Sequence, residues 1–210
     1  MREIVYEYAL PGFDTQAYDA AVERLISAYG EHAGKALEPG EKGRVGLNVF
    51  ASAGAGLSTP PELVEAVIRA LERRGYARGD IFLLGRAERQ MRAAGLLPPL
   101  SSAKGLVFNG VPVYLLDEQT HYDEVWFYES PLPSREYFAR EAVRGSFSLE
   151  ERPGDRKSFL PAPLFLETDF WINLPVFFAH RAFGVSGALA NASVWSVSNH
   201  LRFLDNPANA

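Results

Sequence analysis

The sequence predicts an α/β fold with a mostly parallel open sheet, helices on both faces, and an irregular middle insertion that contains a β-hairpin. Residues 44–96 alternate strand, helix, strand and helix patterns, an order that joins parallel neighbours through right-handed crossovers. Residues 106–116 hold two apolar runs around Asn109 and Gly110, which favour a two-residue hairpin turn. With 210 residues in the chain, we expect a single domain over 1–210.

The N-terminal region predicts one strand and one amphipathic helix. Residues 2–10 alternate apolar and polar side chains, as a half-buried strand does. Asp14 or Thr15 is placed to cap a helix whose apolar residues recur every three to four positions, and Gly30 is its expected end.

The next segment carries the clearest helix pattern in the chain. A strand is predicted at 44–50, and small residues then form a flexible turn. Ser58 or Thr59 is expected to cap the following helix, which has Pro60 and Pro61 in its first turn.

The rest of the chain alternates shorter apolar runs with turn residues. Residues 130–158 mix proline, glycine and charged residues, and we interpret them as a lid or an insertion. Trp126, Trp171 and Trp195 each lie in an apolar stretch and are expected in the core. Further strands are predicted at 80–84, 123–128 and 164–175, and further helices at 86–94 and 188–201.

Composition excludes several classes of protein. The chain is 47% hydrophobic with a net charge of -5, so we expect neither disorder nor nucleic-acid binding. It has no cysteine, which excludes disulfides, a thiol nucleophile and cysteine-bound iron–sulfur clusters. No uninterrupted apolar window approaches about 18 residues, and the N-terminus lacks a signal-peptide pattern. We therefore expect a cytoplasmic protein with no membrane partner.

The four histidines favour no metal site. A three-histidine site would require His121, His180 and His200 to meet, which we do not expect. His32 and His121 lie in predicted loops and are expected at the surface. We predict no bound metal and no cofactor.

Three polar segments follow predicted strands, and parallel strands end at the same edge of a sheet. The segments are 48–59, 85–88 and 180–191. We expect them to converge and to place Asn48 and Arg86 in one site. The loop before Ser58 and Thr59 opens a helix and offers backbone N–H groups to an anion. An ordinary cap and turn is the alternative interpretation of that loop.

His180 and Arg181 stand between a predicted buried strand and a glycine-containing turn. A histidine there can exchange protons near neutral pH. The adjacent arginine can hold a carboxylate or a phosphate through two hydrogen bonds. The alternative is a surface turn in which Arg181 pairs with a nearby acidic side chain.

A second polar group follows the His–Arg pair. Ser186 and Gly187 precede the last predicted helix, and Ser186 either caps that helix or contacts a ligand. Asn191, Asn199 and Arg202 are spaced by eight and three residues. On a helix these three lie on related faces and form one polar cluster, or they are solvated.

Two blocks carry a family resemblance. The first is VGLNVFASAGAGLSTPPELVEAVIRAL at 45–71, and the second is TDFWINLPVFFAHRAFGVSGALANAS at 168–193. They resemble the strand, loop and helix segments of the bacterial and archaeal family named "domain of unknown function 362". Together they span most of residues 44–202. Relatives typically continue into another strand, so the sequence is either a trimmed member or a fragment.

The blocks match the family at some polar positions and depart from it at others. The matching residues are His180, Gly184, Gly187 and Asn191. The family usually has lysines at the positions held here by Asn48, Phe178 and Ala190. If those lysines bind an anion or act as catalysts in the family, the resemblance implies that this chain has lost that role or moved it to Arg181 or Arg202. Many relatives carry iron–sulfur cysteines, which this chain lacks.

These observations predict a protein that binds a small anionic metabolite at the C-terminal ends of the strands. The residues expected to bind it are Asn48, Ser58, Thr59, Arg86, Arg181, Ser186, Gly187, Asn191 and Arg202, and His180 is expected to carry any proton transfer. The alternative is a non-catalytic structural or partner-binding relative, which the missing lysines favour. Homo-oligomerisation is compatible with both.

Overall fold

The computed structural model describes residues 4–54, 56–101, 105–118, 120–129 and 156–204. Its helices are α1 (Thr15–Ala33), α2 (Pro61–Glu72), α3 (Glu88–Ala93), α4 (Ala162–Leu166) and α5 (Ala188–Ala192), with 3₁₀ turns at Arg78–Asp80, Leu116–Glu118 and His200–Phe203. Its strands are β1 (Val45–Val49), β2 (Ile81–Gly85), β3 (Val107–Phe108), β4 (Val111–Leu115), β5 (Tyr122–Glu129), β6 (Lys157–Pro161), β7 (Phe170–Leu174), β8 (Phe178–His180) and β9 (Gly184–Ser186).

Five strands form the main sheet in the order β3-β4-β2-β1-β7. β1 pairs in parallel with both β2 and β7, and β2 pairs in parallel with β4, whereas β3 is antiparallel to β4. Two antiparallel pairs, β5–β6 and β8–β9, form separate small sheets. The prediction of an α/β protein with a mostly parallel sheet is confirmed, as is the hairpin turn at Asn109 and Gly110.

The sheet has an apolar core on each side, because successive residues of a strand face opposite sides. The larger core joins β1, β2, β4 and β7 to α1, α2 and Met91 of α3. The smaller core lies on the opposite face and contains Phe82, Leu84, Leu116 and Leu164 of α4. β1 and β2 are buried at all five of their positions, as expected for parallel strands covered on both faces.

Helix α1 begins where predicted but ends later. The Asp14 carboxylate accepts a hydrogen bond from the N–H of Ala17 at 2.8 Å and caps the first turn. The predicted end at Gly30 is wrong, because α1 continues to Ala33 and Gly34 closes it with a φ of 62°. The helix continues through Gly30 because a glycine inside a helix costs only about 1 kcal/mol. Gly34 supplies the left-handed residue that ends the helix.

The predicted capping of α2 is also wrong. Pro60 is the N-cap and makes no side-chain capping bond. The Ser58 hydroxyl instead donates to the carbonyl of Gly54 at 2.8 Å, closing the preceding turn. Pro61 follows at the first helical position, where its fixed φ suits the helix and its missing N–H needs no acceptor.

Four further predictions fail in the described residues. Residues 4–10 form no strand, and 188–201 is not one helix, because α5 ends after a single turn. The strand predicted at 164–175 is shorter and begins only at Phe170, after α4. Trp126 is 56% exposed on β5 rather than in the core.

The middle of the chain is only partly described. β5 confirms the strand predicted at 123–128, but 130–155 lie outside the described residues, so the lid or insertion expected there stays a prediction. His121 was expected at the surface and is half-buried instead, stacked on Tyr114 with ring centroids 4.8 Å apart. Burial lowers the pKa of His121. In the part of the chain described, no helix has the length and apolar character needed to cross a membrane.

Candidate functional site

The sheet changes direction at the pair β1 and β7. The chain runs from β1 outward to β2 and β4, then returns to place β7 on the other side of β1. In open α/β sheets, the crevice outside the C-terminal ends of two such strands is the usual ligand position. Here that position is filled by the chain's own polar side chains.

Four polar residues form a buried network at this point, which we call the asparagine cluster: Asn48, Asn173, Asn191 and Ser196. The Asn48 amide nitrogen lies 3.0–3.1 Å from Asn173 Oδ1, the Asn191 carbonyl and Ser196 Oγ. The Asn191 amide nitrogen donates back to Asn173 Oδ1 at 2.7 Å and to the Asn48 carbonyl at 3.2 Å. Asn48 and Asn191 are each 2% exposed. These amides therefore hold β1, β7 and α5 together.

Thr59, just before α2, forms two hydrogen bonds at the same edge of the sheet. Its hydroxyl accepts the N–H of Phe50 at 2.9 Å and donates to the carbonyl of Leu174 at 2.6 Å. The side chain thereby joins the residue after β1 to the last residue of β7, and Thr59 is 1% exposed. Both capacities of this hydroxyl are used inside the protein.

The β8–β9 hairpin places His180 against aromatic rings. The imidazole stacks on Phe183 with centroids 4.5 Å apart, and its edge contacts Trp195 at 5.7 Å. Its Nδ1 accepts the N–H of Ala182 at 3.2 Å. The predicted partner Arg181 is exposed at the tip of the hairpin.

The residues after the hairpin also bond within the protein. Ser186 was expected to cap a helix or contact a ligand, and its hydroxyl instead accepts the indole N–H of Trp195 at 3.1 Å. The N-cap of α5 is Gly187, with no side-chain capping bond. An added Cβ at Gly187 would lie 3.1 Å from the ring of Phe177.

Arg86 ties the end of β2 to the C-terminal segment. Its Nε and Nη2 donate to the Trp195 carbonyl at 3.0 and 2.6 Å, and Nη2 also donates to the Val197 carbonyl at 2.7 Å. Its Nη1 forms an ion pair with Asp117 Oδ1 at 3.2 Å. The segments expected to converge therefore lie together, with Trp195 bonded to both Ser186 and Arg86.

Arg202 and Asn199 lie away from the asparagine cluster. Arg202 is fully buried, donates to Ser158 Oγ at 3.0 Å and lies 4.5 Å from the ring of Phe203. Burial lowers the pKa of its guanidinium. The predicted cluster with Asn191 required one helix from 188 to 201, which the chain does not form.

A cavity of about 210 Å³ lies beside Arg86, at the C-terminal ends of β2 and β4. We call it the Arg86 cavity. Its lining residues are Arg86, Leu116, Asp117, Tyr122, Ser198, Asn199, His200 and Leu201. Asn199 adopts a left-handed backbone with a φ of 49°, which asparagine tolerates better than most residues, and this conformation turns the chain into the 3₁₀ segment that carries His200.

Two of the lining groups are unusual. The Tyr122 hydroxyl is buried and has no hydrogen bond of normal geometry to any described residue. Burial raises the pKa of Tyr122 to about 12, against the opposing charge of Arg86. Burial lowers the pKa of His200 to about 3, and the Arg86 charge acts in the same direction. At neutral pH the cavity therefore presents a phenol, a neutral imidazole and the Arg86–Asp117 pair.

Sequence reasoning identified Arg86 but missed Asp117, Tyr122 and His200. Asp117 directly follows the apolar run that ends β4, and Tyr122 begins the next strand. The position of Asp117 after β4, like that of Arg86 after β2, is the signal that was available; Tyr122 precedes its strand and carries no such signal.

A scan against protein-family models and searches of curated proteins and of solved structures found no match to this chain. The resemblance of 45–71 and 168–193 to a family therefore stays a prediction. Among the described residues, no group of three or more histidine or acidic side chains is arranged to hold a metal ion.

Proposed function

We propose that this chain binds a small anionic molecule at the C-terminal ends of its strands, in the Arg86 cavity. The observation that carries the proposal is the Tyr122 hydroxyl, which is buried in the cavity wall beside Arg86 without a hydrogen bond of normal geometry to a described residue. Leaving a buried polar group unpaired costs about 1–3 kcal/mol. A bound acceptor would remove that cost.

The positive charge of Arg86 favours a negatively charged ligand. A guanidinium has five N–H donors, and the bonds to Trp195, Val197 and Asp117 use the Nε hydrogen, both Nη2 hydrogens and one Nη1 hydrogen. One Nη1 hydrogen remains. With 7% of its side chain exposed, Arg86 is held in place before any ligand arrives.

The test pairs a binding screen with two tyrosine variants. Thermal shift and calorimetric titration would cover formate, acetate, larger monocarboxylates, sulfate and inorganic phosphate. Tyr122→Phe should weaken binding about tenfold or more, since a hydrogen bond to a charged group contributes roughly 1.5–3 kcal/mol. The same variant should melt higher without ligand, because it removes a buried hydroxyl that has no hydrogen bond of normal geometry to a described residue.

Tyr128→Phe is the matched control, because Tyr128 is 57% exposed on β5 and does not line the Arg86 cavity. Unchanged affinity in Tyr122→Phe would refute the proposed site. Absence of any binding by the wild-type chain across the panel would refute the proposed function.

Acid–base chemistry by His180 is part of the same proposal. Since Nδ1 accepts the N–H of Ala182, the neutral imidazole carries its proton on Nε2. The ring of Trp195 contacts both His180 and the cavity residue His200, at 5.7 and 6.2 Å. A His180→Ala variant whose ligand affinity is unchanged at both pH 6 and pH 8 would discard this role.

A second candidate function, partner binding, is favoured by an apolar surface on the hairpin side of the molecule. Phe177 is 80% exposed, Val185 49% and Leu189 83%. Large exposed apolar side chains are typical of interaction surfaces. Light scattering over a range of concentrations tests self-association, and Leu189→Ser should reduce the apparent mass. If the protein is a monomer at all concentrations, self-association is excluded, and only a different protein remains as a partner for this surface.

A further inference from the structure

We propose that the Asp117 carboxylate occupies the position on Arg86 where the ligand binds. The ligand is a singly charged carboxylate, which displaces the Asp117 side chain from Arg86. This inference rests on the proposed function of the Arg86 cavity. It identifies the residue that limits anion affinity and the class of anion that is selected.

The two partners of the ion pair are held very differently. The Arg86 side chain is 7% exposed and is fixed by bonds to two backbone carbonyls, whereas the Asp117 side chain is 51% exposed. Among the described residues, the Asp117 carboxylate has a single hydrogen-bond donor, Arg86 Nη1 at 3.2 Å. That distance is at the long end for a bond between charged groups. Asp117 can therefore turn into solvent while Arg86 stays in place.

The backbone of Asp117 does not have to move with its side chain. Its N–H donates to the carbonyl of Arg86 at 3.0 Å, so the 3₁₀ turn stays attached to the end of β2 when the carboxylate leaves. An incoming carboxylate then meets two Nη1 hydrogens and the hydroxyl of Tyr122. Because the Nε and Nη2 hydrogens stay bonded to the Trp195 and Val197 carbonyls, the carboxylate binds Arg86 through charge-assisted bonds from Nη1 alone.

The charges facing the cavity select one negative charge rather than two. Among the described residues that line it, Arg86 is the cation, and His200 is neutral because its pKa is about 3. With Asp117 displaced, one positive charge remains to be balanced. A phosphate dianion would leave one charge unbalanced beside buried groups, which is strongly unfavourable.

The volume suits a small ligand. The cavity of about 210 Å³ equals the liquid volume of roughly seven water molecules, at about 30 Å³ each. Leu116 and Leu201 provide apolar wall beside the polar groups. Short-chain monocarboxylates meet both conditions.

The experiment compares two variants that remove the same charge at adjacent positions. Asp117→Asn removes the carboxylate paired to Arg86, and Glu118→Gln removes the next one along the 3₁₀ turn. Acetate, butyrate and inorganic phosphate are titrated calorimetrically at pH 8 in a Tris buffer at fixed ionic strength. We expect Asp117→Asn to bind acetate and butyrate at least threefold more tightly than wild type, and Glu118→Gln to change the affinity by less than that.

The outcomes separate this inference from the proposed function. If wild type binds a carboxylate and Tyr122→Phe weakens it, but Asp117→Asn binds no more tightly, the proposed function stands and the role of Asp117 is refuted. Phosphate binding more tightly than acetate would refute the monoanion class. If neither wild type nor Asp117→Asn binds any of the three, both proposals are wrong.

Discussion

His200 makes the stability of the native protein depend on pH in a range where carboxylates contribute little. Its imidazole lies in the wall of the Arg86 cavity, and burial together with the Arg86 charge lowers its pKa to about 3. In the unfolded chain a histidine titrates near 6.5. Between these values the unfolded chain binds a proton that the native protein does not bind, so the free energy of unfolding falls as the pH falls.

The expected loss is about 2 kcal/mol between pH 7 and pH 5, because each pKa unit corresponds to about 1.36 kcal/mol and the titration begins near 6.5. The contribution is fully present above 6.5. Carboxylates with depressed pKa values, such as Glu23 at about 2, lose their contribution only below their ordinary pKa near 4.5. His121 adds a loss of the same sign, since burial lowers its pKa as well.

Urea unfolding of wild type and His200→Gln, followed by circular dichroism at pH 7, 6, 5.5 and 5, would measure this dependence. The variant should lose most of the slope and retain the smaller part due to His121. His32→Gln is the control, because His32 is exposed, and it should behave like wild type. An equally steep slope in His200→Gln would refute the interpretation of His200 as a neutral buried imidazole.

Two further predictions concern the packing and bonding of the sheet, both measured by urea unfolding. Gly46→Ala should lower the free energy of unfolding by about 1–3 kcal/mol, because its Cβ would lie 2.5 Å from Leu164 Cδ2. Gly79→Ala is the control: its Cβ meets no described atom within 4 Å, so the free energy of unfolding should change by less than about 0.5 kcal/mol. Thr59→Val should cost about 2–4 kcal/mol, since the N–H of Phe50 and a carbonyl of β7 both lose their partner. Thr59→Ser keeps the hydroxyl, and an equal loss in both Thr59 variants would contradict this account.

The parts of the fold that sequence reasoning predicted correctly are those where one local signal is strong. β1 and β2 are continuous apolar runs, α2 has a clear apolar stripe, and Asn109 with Gly110 favours a single type of turn. Residues 4–10 alternate like a strand but find no neighbouring strand. Alternation alone does not supply the hydrogen-bonding partner that makes a strand.

The sequence predicts where the candidate site lies, but it does not predict which hydrogen bonds its side chains form. The order of strands and polar turns brings Asn48 and Asn191 together, as expected. Whether those amides face a ligand or each other depends on side-chain geometry at ångström scale, and they bond each other. The helix expected over 188–201 fails because its asparagine side chains bond to distant segments, whereas Ser193 and Ser196 donate to nearby backbone carbonyls and so compete with helical hydrogen bonds. Tyr122 and His200 were missed because each lies in a segment with no recognisable motif.

The pairing of β1 with β7 has a consequence for how this chain reaches its native state. Asn48 and Asn173 are 125 residues apart, yet they sit opposite each other in adjacent strands. Contacts so distant in sequence slow folding, because a long loop must close before they form. Until Phe170–Leu174 docks, β1 is a sheet edge of apolar residues with unpaired backbone groups, which is a site for aggregation. During synthesis, the β1 edge therefore stays open until Phe170–Leu174 has been made.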